Sequence, residues 1–231
     1  MIWYISLSLI YKLRTIMKKL IAIVSSLFLV TTISAKAEIG IGISGAFHMF
    51  DADGDEITRQ SSEKNAGTHS EEVLVPEIFI EATGENGFAF GLSYIPTRDV
   101  GSKSRSDTNS EGDTGTYKAA AELDDVVKIY VDVPLSGFNV FGGQGYVSAG
   151  IQHVTLSTLE SLNSGSTYPN QDLFGASIGV GLKGDLPFSG LYYKGEITYT
   201  DFEEYEASSN GNDVNADLED LASRISIGYK F

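Results

Sequence analysis

The 231-residue sequence holds 16 basic and 31 acidic side chains, a net charge of −15, and no cysteine. This length suits one domain or at most two, the missing cysteine rules out disulfides and thiolate metal sites, and the acidic excess excludes a nucleic-acid partner, whose phosphates are held by Lys and Arg. Twenty-five glycines beside 12 Tyr and 12 Phe point to closely packed strands and not to long helices.

Before Glu38 the chain carries Lys12, Arg14, Lys18, Lys19 and Lys36 and no acidic residue. Met17-Lys18-Lys19 forms a charged start, Leu20 to Ile33 an apolar run too short to span a bilayer comfortably, and Ala35-Lys36-Ala37 a small-residue cleavage site. The pattern reads as a secretory signal peptide over residues 1–37, with Met17 as the start and cleavage after Ala37; an uncleaved anchor is the competing reading. The remaining domain, 38–231, holds 11 basic and 31 acidic residues, a net charge of −20 that keeps it off anionic surfaces.

From Glu38 onward, alternating stretches are separated by Gly, Ser, Asn and Asp clusters, as in strands joined by turns. Eight strands are predicted: Glu38 to Phe50, Glu72 to Thr83, Phe88 to Ile95, Ala121 to Val133, Gly145 to Ser157, Asp172 to Gly184, Leu191 to Tyr205 and Leu218 to Phe231. Long polar connections (51–71, 96–120, 158–171, 206–217) alternate with the tight turns 84–87 and 185–190. The connection 134–144 is longer than that pattern wants.

The two-residue period gives each strand an apolar face, for example Ile39, Ile41, Ile43 and Phe47, or Phe174, Ile178 and Val180. The opposite face is small or polar, as in Gly40, Gly42 and Ser44. Two eight-stranded barrels compete, a soluble ligand-binding one and a transmembrane one, and they differ in which face is apolar. The secretory signal, the long connections at one end, and aromatics near strand ends (Tyr94, Tyr193, Tyr199, Tyr229, Phe231) favour the second. The expected fold is all-β, an eight-stranded antiparallel up-and-down transmembrane β-barrel. Even parity places both termini in the periplasm and the long loops outside.

The chain ends Ile225-Ser226-Ile227-Gly228-Tyr229-Lys230-Phe231, with alternating apolar side chains and a terminal Phe. This resembles the last strand of bacterial outer-membrane barrels, and residues 38–231 resemble the small family typified by the OmpA membrane domain and OmpX. The resemblance implies a cell outer-membrane location, lipid as a partner, and assembly machinery that reads Ile225, Ile227, Tyr229 and Phe231.

Inward charges in this register are Glu77, Glu81, Asp132, Glu196 and Asp220 against Lys128, Lys183, Lys194, Arg224 and Lys230. Side chains fill so narrow a barrel, and ionised groups buried there must pair. The expectation is a lumenal ion-pair network that plugs the barrel; an ion-conducting constriction is the alternative. Asp51, Asp53 and Asp55 open like a calcium loop, but Glu56 stands where an EF-hand needs Gly and Ser62 where it needs Glu, so they are weak metal candidates in a solvated loop tip. His48, inward near the outer rim with Asp51, Asp53 and Asp201 in reach, reads as a hydrogen-bonded surface residue; no enzyme and no cofactor is expected. The functional reading is a structural or surface-interaction barrel acting through acidic extracellular loops on an extracellular ligand or a host or phage surface. The alternative is a small conduit for ions or solutes.

Overall fold

The computed structural model describes residues 37–57, 64–108, 114–161, 167–209 and 211–231; the expected signal peptide, residues 1–37, lies outside the described residues apart from Ala37. Ten strand segments run in chain order: β1 (Glu38–Ile57), β2 (Lys64–Thr83), β3 (Ala89–Ile95), β4 (Arg98–Thr108), β5 (Thr114–Val140), β6 (Gly143–Ser161), β7 (Gln171–Asp185), β8 (Leu191–Phe202), β9 (Tyr205–Ser209) and β10 (Asn212–Lys230). They form eight staves, because β4 continues β3 beyond Pro96 and β9 continues β8, and all pairings are antiparallel. The ring closes where β1 meets β10, from Gly40↔Lys230 to Ile57↔Asp213, and the Phe231 amide extends the closure by donating to the Ile39 carbonyl at 2.9 Å.

Alternation sorts the side chains as the sequence indicated. Ile39, Ile41, Ile43, Ile178, Val180, Ile225 and Ile227 stand exposed on the outside, and Ser44, Glu77, Tyr130, Tyr192 and Arg224 are buried in the lumen. Tyr94 and Tyr199 mark the outer edge of this belt; Tyr229, Phe231, Phe138 near the end of β5 and the turn residues Phe141 and Phe188 mark the periplasmic edge. Room for the lumenal rings comes from glycines. A Cβ on Gly91 would lie 2.2 Å from the Tyr130 ring, and one on Gly42 would lie 2.3 Å from Phe79.

Three expectations change. The long connections are mostly strand: β1 and β2 stay paired from Asp51↔Ser70 to Ile57↔Lys64, so this hairpin rises about 20 Å past Phe50 at the usual rise per residue. Likewise β4 and β5 pair from Arg98↔Leu123 to Thr108↔Thr114. Polar side chains on both faces hid these extensions, since strands in water need no apolar stripe. At 134–144, β5 runs on to Val140 through an irregularity between Pro134 and Asn139, and the turn is Phe141-Gly142.

The third change is a break in the wall. The β2–β3 ladder ends at Ile78↔Tyr94, and continuing its register would set Pro76 opposite Pro96. Proline has no N–H to donate. Above this point β4 pairs with β5 only, and among the described residues no ladder joins it to β2. The break starts at membrane depth, because Pro76 is beside Gly45 and Leu74 beside Phe47 of the outward apolar belt.

Gly91→Val should overpack the lumen against Tyr130 and cost about 1 to 3 kcal/mol. The expected result is a lower temperature for loss of the compact, fast-migrating form on unboiled gels, with an outward Gly45→Val control unchanged.

Candidate functional site

The lumen is built in two layers. On seven of the eight staves, the inward residue just outside the last polar one is apolar: Phe50 follows His48, Val75 follows Glu77, Ile95 follows Ser93, Val126 follows Lys128, Val154 follows Gln152, Phe202 follows Thr200 and Leu218 follows Asp220. With Val100, Leu123, Leu156, Leu173 and Tyr205 these form one buried apolar cluster across the outer half of the barrel. A bulge in β5, where the register shifts between Asp124 and Val127 and Asp125 takes φ 50°, turns both Leu123 and Val126 inward. Asp tolerates that left-handed backbone better than most residues. Just outside the belt the Ser157 hydroxyl donates to Asp124 at 2.6 Å and holds that carboxyl below its usual range.

Below the apolar cluster lies the charged layer. Lys194 Nζ donates to Asp132 at 2.7 Å and to Glu81 at 3.0 Å, and it sits over the rings of Tyr130 (4.7 Å), Tyr146 (5.3 Å) and Phe79 (5.6 Å). Glu81 also accepts from Lys183 at 2.6 Å and from the Tyr130 hydroxyl at 3.1 Å. Arg224 Nε reaches both oxygens of Glu77 at 2.9 Å, while its Nη1 faces Glu196 at 3.5 Å and bonds the Thr198 hydroxyl. Lys128 stands 4.0 Å from Glu196, which accepts from Tyr146 at 3.1 Å. Between Glu77, Tyr130, Lys194 and Arg224 remains a cavity of about 30 Å³, enough for a water molecule or two and too small for a solute.

Nine of the ten charges named from the pattern lie in this layer. Lys230 does not: it sits at the periplasmic rim, 3.0 Å from Asp185 and 3.3 Å from Glu38. Its numerical place is taken by Arg98, which is buried over the Phe50 ring at 5.0 Å and which the sequence reading left inside a polar connection. His48 also moves. Instead of lying at the surface beside Asp51, Asp53 and Asp201, it is fully buried, with Nδ1 2.9 Å from Asp220 and Nε2 3.2 Å from Glu77. Carboxylates only accept, so both contacts are hydrogen bonds when both ring nitrogens carry a proton.

Asp51, Asp53 and Asp55 occupy alternate outward positions of β1 and not a loop tip. Asp51 accepts from Ser70, Asp53 is beside Asp217, and Asp55 pairs with Lys64 at 3.0 Å. Among the described residues, no group of three or more His, Cys, Asp or Glu is placed to hold a metal ion. Ile225, Ile227, Tyr229 and Phe231 face outward on the closing strand, with the last two rings edge to face at 5.0 Å.

No protein-family model matches the sequence, and no curated protein is found similar to it. Solved structures do match in fold. The outer-membrane protein OprG from Pseudomonas aeruginosa superposes with a TM-score of 0.57 at 17% identity, over 87% of this chain and 99% of OprG. The outer-membrane protein AlkL, determined in DMPC lipid bilayers, gives 0.50 at 9% identity, over 84% of this chain and 90% of AlkL. A major outer-membrane protein from Thermus thermophilus gives 0.48 at 11% identity, over 81% and 99%. With its exposed belt, two aromatic girdles and filled lumen, the chain is an integral β-barrel protein of the outer membrane. In fold it is one of the small eight-stranded barrels that include OprG.

Replacing Lys194 by Met leaves Glu81 and Asp132 without their shared cation and should destabilise the barrel by about 3 to 5 kcal/mol. Urea unfolding in micelles measures this. Adding Asp132→Asn should recover part of the loss, since Glu81 keeps Lys183.

Proposed function

We propose that the barrel is a conduit for small apolar molecules, which enter its outer half and leave sideways into the membrane through the seam between β2 and β4, a gap in the ladder where side-chain contacts alone hold the strands. The observation that carries this reading is the coincidence of that gap with the apolar layer: Val75 on one edge, and Ile95 and Val100 on the other, belong to the cluster that fills the lumen there. Unpaired backbone is costly in hydrocarbon, and Pro76 and Pro96 each remove one donor where the two edges leave the ladder. Below the gap, the ion pairs and their aromatic rings oppose passage of water and ions to the periplasm, so the path that stays apolar along its length runs through the wall.

A second reading, favoured by the length of the paired hairpins, is surface interaction. β1 and β2 carry Asp51, Asp53, Asp55, Glu56, Glu71 and Glu72 above the belt, on a rigid scaffold of the kind that displays recognition loops. The terminal strand of Ile225 to Phe231 serves the assembly machinery in either case.

The test compares cells bearing wild-type protein with cells bearing Pro76→Val/Pro96→Val, whose two new N–H groups allow the ladder to continue. Uptake of radiolabelled octane should fall severalfold in the variant, and single-channel current in planar bilayers should stay at background for both. Unchanged uptake contradicts the lateral path, and a large steady current contradicts the closed lumen. Deleting residues 102–115 separates the second reading: loss of adhesion or phage attachment with uptake intact favours it.

A further inference from the structure

We propose that the molecules taken into the apolar layer carry a carboxylate, and that Arg98 is the residue that receives it. The inference rests on the conduit reading and names its ligand class more narrowly. Arg98 stands two residues after Pro96, at the edge of the gap, and its backbone lies level with Leu123 inside the apolar layer. Its side chain is 4% exposed, its guanidinium lies on the Phe50 ring, and none of its three nitrogens has a hydrogen-bond partner among the described residues. Five N–H donors in a rigid fork, kept from water and left unmatched, call for an acceptor.

The surrounding charges do not fill it. Asp220 and Glu77, the carboxylates whose charges act on Arg98, are already engaged, Asp220 by His48 and Glu77 by His48 and Arg224. Lys183 and Lys194 share Glu81, and Lys128 faces Glu196. A ligand carboxylate supplies the missing acceptor, and its two oxygens match the guanidinium fork. The position also selects the rest of the molecule. The Arg98 guanidinium reaches down over Phe50 toward Asp220 and Glu77, to the inner side of the apolar layer, so a head bound there leaves an aliphatic tail among Val75, Ile95, Val100 and Leu123. A linear aliphatic acid has that shape.

The probes are octanoate labelled with carbon-13 at its carboxyl, 1-octanol, and acetate. Each is titrated into the intact barrel in nanodiscs of zwitterionic lipid, with empty nanodiscs subtracted. Octanoate should saturate, shift its carboxyl resonance, and bind about tenfold or more tighter than octanol, as a charge-assisted bidentate contact would give. Arg98→Met should remove that margin while octanol binding persists. Octanol binding as tightly as octanoate overturns the inference and leaves the conduit reading standing. Acetate binding as tightly as octanoate overturns it too, since the site is then one for small anions. Failure of both octanoate and octanol to bind overturns the inference together with the conduit reading. If Arg98→Met does not yield a folded barrel, the octanoate-to-octanol ratio on the wild-type protein decides alone.

Discussion

A strand in hydrocarbon has no water to satisfy its N–H and C=O groups, so every one must find another strand. That requirement closes β1 onto β10 and fixes the rest of the architecture. Closure with eight staves leaves an interior only as wide as a few side chains. Rings must then lie against glycines, as Tyr130 does over Gly91, and any charge pointing inward must meet an opposite charge within reach. The seam between β2 and β4, where no ladder runs, is the place where the requirement is relaxed, and Pro76 and Pro96 take one donor each out of it.

The charged layer is better understood as specifying one arrangement than as a large net source of stability. Moving ions out of water costs several kcal/mol each, roughly what their mutual attraction returns, whereas removing one partner exposes the whole cost. Around Lys194 the geometry favours the pair, because two carboxylates and three aromatic faces converge on one ammonium. The apolar layer above has no such directional demand and is held by packing. The lumen thus joins a polar half fixed by directional ion pairs to an apolar half held by packing alone.

Most of the barrel was legible because the outer face of each stave must be apolar at every second position, and Ile39 to Phe47 or Leu221 to Phe231 show this without ambiguity. Inward charges followed from the same period. What escaped notice lies where the period fails. The bulge at Asp124 and Asp125 puts Leu123 and Val126 on one side, so the apolar layer does not appear as an alternation. Arg98 was hidden because Gly91, Ser93 and Ile95 face inward, a period that, continued, would turn Arg98 outward, and the break after Pro96 shifts the phase so that it turns in. Pro76 and Pro96 did carry a readable signal, since a proline inside a strand marks lost pairing, but seeing that they meet requires the β2–β3 register. His48 was placed on the correct face and at the wrong depth, because the strand runs on past Phe50 through residues polar on both sides.

The lumenal contacts also set the order in which this chain reaches its final state. Glu81 and Lys194 are 113 residues apart, Glu77 and Arg224 are 147, and His48 and Asp220 are 172. None of these can form by local collapse, and the widest joins the first strand to the last. Until the ring shuts, a growing sheet carries its inward ions in water, where they need no partner and oppose aggregation. Dehydration of the interior and formation of the pairs therefore belong to one late, cooperative event, and a chain halted before it remains an open, hydrated sheet.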